Sequence, residues 1–157
     1  MPHIHEKIDF VADVFIVHKG KVLLRKHEKF GIWLGPGGHV ELDEDPSQAA
    51  VREAKEEVGL DVVLAGAIPS VEGLDAGTKL LLAPRFMQRH RVSETHEHVA
   101  LYYFATSESD EVRPGGDDRS DVWKWFTAEE LDDPQYGIRP DIRFYAHAAL
   151  RELGEKE

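Results

Sequence analysis

Residues 52–60 read REAKEEVGL, and in a helix Glu53, Glu56 and Glu57 fall at i, i+3 and i+4, where side chains are neighbours and like charges repel. The helix start is well signalled upstream: Asp45 can cap, Pro46 suits the first helical position, and Gln48 stands three after the cap as in a capping box. Gly59 is the natural stop. At about 100° per residue, Ala50, Val51, Ala54 and Val58 share one side, and Gln48, Arg52 and Lys55 another. The three glutamates occupy an arc between the apolar side and solvent. In isolation such a string is a solvated acidic face, relieved in part by Arg52 pairing with Glu56 at i+4.

The loop before the helix changes that reading. Gly35, Pro36, Gly37 and Gly38 let the backbone approach a ligand or cation closely, and Glu41, Asp43 and Glu44 add acids to the same neighbourhood. Carboxylates and backbone carbonyls without sulfur make a hard-oxygen site suited to Mg²⁺, with Mn²⁺ as a substitute. Mg²⁺ keeps several waters and is commonly shared with phosphates, which points to a phosphorylated substrate.

Outward from the helix, FVADVFIV (10–17) reads as a buried strand that a glycine turn, HKGK, joins to a second strand, KVLLRK (21–26). The Gly- and Pro-rich stretch 30–46 is expected to be loop with at most a short extended piece. DVVLAGAIPSV (61–71), HVALYYFAT (98–106) and VWKWF (122–126) look like strands, and 111–121 like a turn-rich loop. AEEL (128–131) opens a short helix, and apolar spacing from Pro140 to Leu153 predicts a closing amphipathic helix. Interspersed strands and helices imply an α/β class, a mixed sheet flanked by helices, in one domain over 1–157.

The whole chain has 157 residues, 41% of them hydrophobic, and a formal charge of −11 from 19 basic and 30 acidic side chains. That balance works against binding nucleic-acid duplexes or anionic membranes. With no cysteine, disulfides, thiol catalysis and thiolate metal sites are excluded. Neither a leader pattern nor a membrane-length apolar run is visible, so a cytoplasmic protein is expected.

From Gly38, five residues lead to Glu44 and seven more to Arg52-Glu53, followed by Ala54, Lys55, Glu56-Glu57, Val58, Gly59 and Leu60. This resembles the signature of the Nudix hydrolases, G-x5-E-x7-R-E-U-x-E-E-x-G-U with U apolar, at every fixed position. Asp43 stands where many members have glycine, and Ala54 is a small occupant of the first apolar position. The resemblance implies an α/β/α sandwich with a mixed β-sheet between helices. It also implies hydrolysis of a diphosphate bond in a nucleoside diphosphate linked to another group. A nucleoside triphosphate, in the manner of the MutT-like members, is the leading substrate. A dinucleotide polyphosphate, a nucleotide sugar, and a non-catalytic nucleotide-sensing role are the alternatives, and a homodimer is left open.

Carried over by position, Glu53, Glu56 and Glu57 bind metal, joined by the Gly37 carbonyl. Glu53 also activates or orients water, Arg52 holds a glutamate by a bidentate contact, and Glu44 braces the loop. Alternatives for the base are Glu97 and, in GGDDRSD, Asp117, Asp118 or Asp121. Phe30 and Trp33 are candidates for stacking on a base, although core packing explains such aromatics as well. Arg25, Lys26, Arg85 and Arg89 are candidates for meeting phosphates. His96 and His98 share a strand face by alternation, which a polar strand end explains, and no role is given to them or to His3 and His5.

Overall fold

The computed structural model describes residues 7–27, 31–115 and 121–154. In chain order the elements are β1 (Ile8–His18), β2 (Lys21–His27), β3 (Ile32–Leu34), β4 (Gly37–His39), α1 (Pro46–Val58) and β5 (Val62–Leu64). Then follow β6 (Phe86–Arg91), β7 (Glu97–Ser107), β8 (Val122–Phe126), α2 (Ala128–Leu131), a 3₁₀ turn (Pro134–Tyr136) and α3 (Pro140–Leu153). All eight strands belong to one mixed sheet, as the class expectation required.

β1 and β7 form its parallel centre, paired from Ile8↔Glu97 to Val17↔Thr106. Each has two partial neighbours on its outer side. β1 pairs with β2 only at Val17 and His18, and with β4 over Val11 to Asp13. β7 pairs with β6 along its first half and with β5 at its end. The wedge between β1 and β2, which meet only at Val17 and His18, is where the loop over 35–45 (the box loop) and α1 enter, the two together carrying the signature residues (the box).

Apolar alternation on the central strands builds two cores. Phe15, Val17, Tyr102 and Phe104 face α3, whose Ile142, Tyr145, Ala146 and Ala149 cover them. Ala12, Val14, Ile16, Leu101 and Tyr103 face α1, where Ala49, Ala50, Ala54 and Val58 close the other side. Val51, expected on the apolar face of α1, is instead exposed, and Ala49 takes the inward place. The capping signals act as read: Gln48 N–H donates to Asp45 Oδ1 at 2.9 Å, Asp45 N–H donates to Gln48 Oε1 at 2.9 Å, and Gly59 ends the helix at φ 72°.

Three expectations are corrected. Stretch 30–46 carries two short strands rather than one extended piece, because β2 and β1 supply edges for Ile32–Leu34 and Gly37–His39. DVVLAGAIPSV is a strand only over Val62–Leu64, where β7 offers a partner, and 65–85 is irregular. FMQRHR, in the stretch between 71 and 98 to which no element was assigned, is β6, with Phe86, Gln88 and His90 turned inward and Met87, Arg89 and Arg91 exposed.

Candidate functional site

Both ends of the box loop are tied to β1. Val14 N–H donates to the Pro36 carbonyl at 2.9 Å and Val40 N–H to the Phe10 carbonyl at 3.0 Å. Between them Gly37 pairs with Asp13, and its N–H donates to Glu57 Oε2 at 3.2 Å. A Cβ at Gly37 would overlap the Asp13 carboxylate and the Ala12 carbonyl. Glycine is required there by close approach.

Arg52 organises the acids around it. Its Nη2 and Nε grip the Glu44 carboxylate at 2.6 and 3.0 Å, a two-point contact matched to the guanidinium fork. Nη1 reaches Glu53 Oε1 at 3.1 Å and Glu56 Oε2 at 3.0 Å, and Nη2 also donates to the His39 carbonyl at 3.1 Å. The Arg52 hydrogen bonds hold the Glu44 carboxyl below its ordinary range. Glu44 also accepts from Glu41 N–H at 3.1 Å, which locks the loop onto the helix.

The three helix glutamates are not equivalent. Glu56 is exposed, whereas Glu53 is buried and Glu57 half-buried against the loop. Burial pushes Glu57 up to about 8, against the pull of Arg25, with Glu53 adding repulsion. Desolvation raises Glu53 likewise, although Arg52 opposes it. Asp13 keeps some solvent contact through the neighbouring cavity, yet the protein packed around its carboxyl pushes it up to about 7. Arg25 Nη1 lies 3.7 Å from Glu57 Oε2 and 3.4 Å from Asp121 Oδ2. Crowded carboxylates that favour protons because burial strips them of water are a donor set that an oxygen-seeking divalent cation fits.

Beside them a cavity of about 200 Å³ opens on the α3 side of the sheet, lined among others by Asp13, Arg25, Gln88, His90, Tyr102 and Arg139. Tyr145 Oη donates to Gln88 Oε1 at 2.7 Å, and Gln88 Nε2 donates to Asp141 Oδ2 at 3.2 Å, so the amide is held in place. Burial, aided by Arg139, lowers the His90 imidazole pKa. A larger cavity of about 520 Å³, between Gly59, Val62, Thr106 and Arg113, touches none of Glu44, Glu53, Glu56 or Glu57.

The structure therefore brings together Arg25, Gly37, Glu44, Arg52, Glu53, Glu57 and Asp121, with Glu56 at the rim. Other candidates lie elsewhere. Trp33 is buried in the core, nearly perpendicular to Phe126 with centroids 4.9 Å apart and with Lys26 over its ring, so it is closed to a base. Arg85 is taken by Glu152 at 2.5 Å. Glu97 binds Arg89 at 2.8 and 3.0 Å, which lowers its pKa, and it opens β7 while Asp13's partner Tyr102 lies at the middle of that strand. Such a carboxylate is a poor base. Phe30, Asp117 and Asp118 lie outside the described residues. Asp13, Gln88, His90, Tyr102 and Arg139 were missed; the available signals were one acid inside FVADVFIV and inward polar residues in FMQRHR.

A family model for the NUDIX domain matches residues 9–148. The chain belongs to the Nudix family. Nudix hydrolases cleave phosphoric anhydride bonds and generally use divalent metals. This Nudix chain is 31% identical over 117 residues to an RNA pyrophosphohydrolase of Gluconacetobacter diazotrophicus, covering 71% of the chain and 66% of that relative, just under two thirds of its length. It is 33% identical over 110 residues to a CTP pyrophosphohydrolase of Escherichia coli K12, covering 65% of the chain and 78% of the relative. A crystal structure of a Nudix-family hydrolase from Clostridium perfringens superposes with a TM-score of 0.79 at 37% identity, over 92% of this chain and 97% of that one. No helix among the described residues is long and apolar enough to cross a membrane.

Proposed function

We propose that this Nudix chain is an Mg²⁺-dependent pyrophosphohydrolase that cleaves a diphosphate bond in a nucleoside triphosphate of the cytoplasmic pool. The observation that carries this is the pairing of Glu53 with Glu57, whose Oε2 accepts from Gly37 N–H, two carboxylates of raised proton affinity at the glycine loop. Glu53, Glu57 and the Gly37 carbonyl would hold the ion, with Glu56 adding an outer carboxylate. A bound divalent ion supplies charge neutralisation for phosphate oxygens and makes an attacking water more acidic.

The chain's own residues do the rest. Arg52 fixes Glu53 while Glu44 fixes Arg52, so the ligand set is oriented before substrate arrives. Glu53 orients the water and accepts its proton, and Asp121, beside Arg25, is the alternative acceptor. Arg25, 3.7 Å from Glu57 and 3.4 Å from Asp121, is held loosely enough to turn to a phosphate oxygen. The cavity of about 200 Å³ falls below the roughly 300–1,000 Å³ of pockets for larger ligands. One nucleobase fits that space better than a dinucleotide, and Gln88 and Arg139 offer polar contacts to its edge. The RNA pyrophosphohydrolase relative motivates one further substrate, a 5′-triphosphorylated oligonucleotide, which the charge of −11 disfavours.

The test is a phosphate- and pyrophosphate-release screen with and without Mg²⁺. Substrates would be CTP and other nucleoside triphosphates, dinucleotide polyphosphates, nucleotide sugars and a 5′-triphosphorylated oligonucleotide. Mg²⁺-dependent release of pyrophosphate from a free triphosphate is expected. Turnover confined to another substrate class would overturn the triphosphate assignment, and nucleotide binding without turnover would favour a sensing module.

A further inference from the structure

We propose that Asp9, His39, His96 and His98 form a second metal site, selective for Zn²⁺ or a chemically similar late first-row divalent ion and distinct from the glutamate box. One donor atom from each lies within 4.8 Å of all the others. Asp9 Oδ2 stands 3.2 Å from His39 Nε2 and 3.2 Å from His96 Nε2. With Zn–N and Zn–O bonds of about 2.0–2.1 Å, the edge of a tetrahedral site is roughly 3.3 Å, so these two edges already have the required length. Asp9, His39 and His96 are buried and His98 is half-buried. The His98 ring is nearly perpendicular to those of His39 and His96, at 87° and 88°, with centroids 5.2 and 5.0 Å away.

Register explains why distant residues meet. Asp9 pairs with His98 across β1 and β7, His39 pairs with Val11 two residues further along β1, and His96 precedes His98 by one alternation. All four side chains thus fall on the α3 side of the sheet. Three imidazoles with one carboxylate select a borderline ion over Mg²⁺, which prefers oxygen. The ion would clip the starts of β1 and β7 to the end of the box loop, where the His39 carbonyl accepts from Arg52 at 3.1 Å. Its role is to brace the box, and the inference does not depend on which nucleotide the chain hydrolyses.

The test uses the full chain without an affinity tag, stripped of metal and titrated with Co²⁺ while visible absorption is read. A single tight equivalent with the intense bands of four-coordinate Co²⁺ is expected. These bands should be displaced by Zn²⁺ and persist in excess Mg²⁺, in Glu53→Gln/Glu57→Gln and in His3→Ala/His5→Ala. They should vanish in His96→Ala, with circular dichroism confirming the fold; His98→Ala replaces it should that variant not fold. The absence of such bands in the wild-type chain would overturn the proposal, since a proton-bridged Asp–His cluster gives none. So would their loss in the glutamate or His3/His5 variants with retention in His96→Ala.

Discussion

Through Nε and both terminal nitrogens, Arg52 touches Glu44, Glu53, Glu56 and the His39 carbonyl. Lysine keeps the charge but loses the fork, so Arg52→Lys should release Glu44 and Glu53 together. A fall in kcat of about 10- to 100-fold is expected, the usual cost of removing a partner that orients metal ligands. Steady-state kinetics at saturating Mg²⁺ check it, and an unchanged kcat would refute the positioning role.

Glu57 and Asp13 supply a pH prediction. Their folded values, about 8 and about 7, lie above the ordinary 4.5 and 3.8. A raised carboxyl contributes stability that is fully present below its unfolded value and is lost as pH rises through the folded one. The Tm of the metal-free chain should therefore fall between about pH 4.5 and 8. Added Mg²⁺, which needs these carboxylates ionised, should raise Tm more at pH 8 than at pH 5.5. Thermal scans in chelator and in Mg²⁺ read both effects, and a metal increment independent of pH would count against the cluster.

At the scale of elements, α1 was legible because its signals are local: an aspartate cap, a proline in the first turn, a glycine in the left-handed region and acids at helical spacing. Asp45→Ala should cost about 1 kcal/mol, the typical value of a lost N-cap, read as a lower denaturant midpoint with unchanged slope. β3, β4 and β6 were not legible for the opposite reason. Three residues of IWL or GGH carry no periodicity, and FMQRHR becomes a strand only because β7 presents its edge. For Trp33, a stacking candidate that core packing explained as well, the core reading holds, because β3 lays it against Phe126 and Tyr136.

For the whole molecule, the split sheet is what assembles the site. β1 meets β2 only at its last residues, Val17 and His18, and pairs with β4 over Val11 to Asp13, so the box loop, α1 and the α3-side cavity share one opening. The box glutamates could be read from one contiguous stretch. The cavity could not, since Asp13, Gln88, Tyr102 and Arg139 come from four elements or their flanks that only the topology unites. The histidines at 96 and 98 misled for the same cause: a polar strand end was the economical reading of THEHV, and burial against Asp9 and His39 follows from the parallel β1–β7 register.

The central claim is that Glu57, with Glu53, holds the ion that drives hydrolysis, and Glu57→Gln tests it with almost no change of shape. The measurement is kcat for CTP in saturating Mg²⁺, wild type against variant, with Tm recorded in parallel. A loss of roughly 100-fold or more at a Tm no lower than that of the metal-free wild type is predicted. Near-normal turnover in Glu57→Gln would contradict the account.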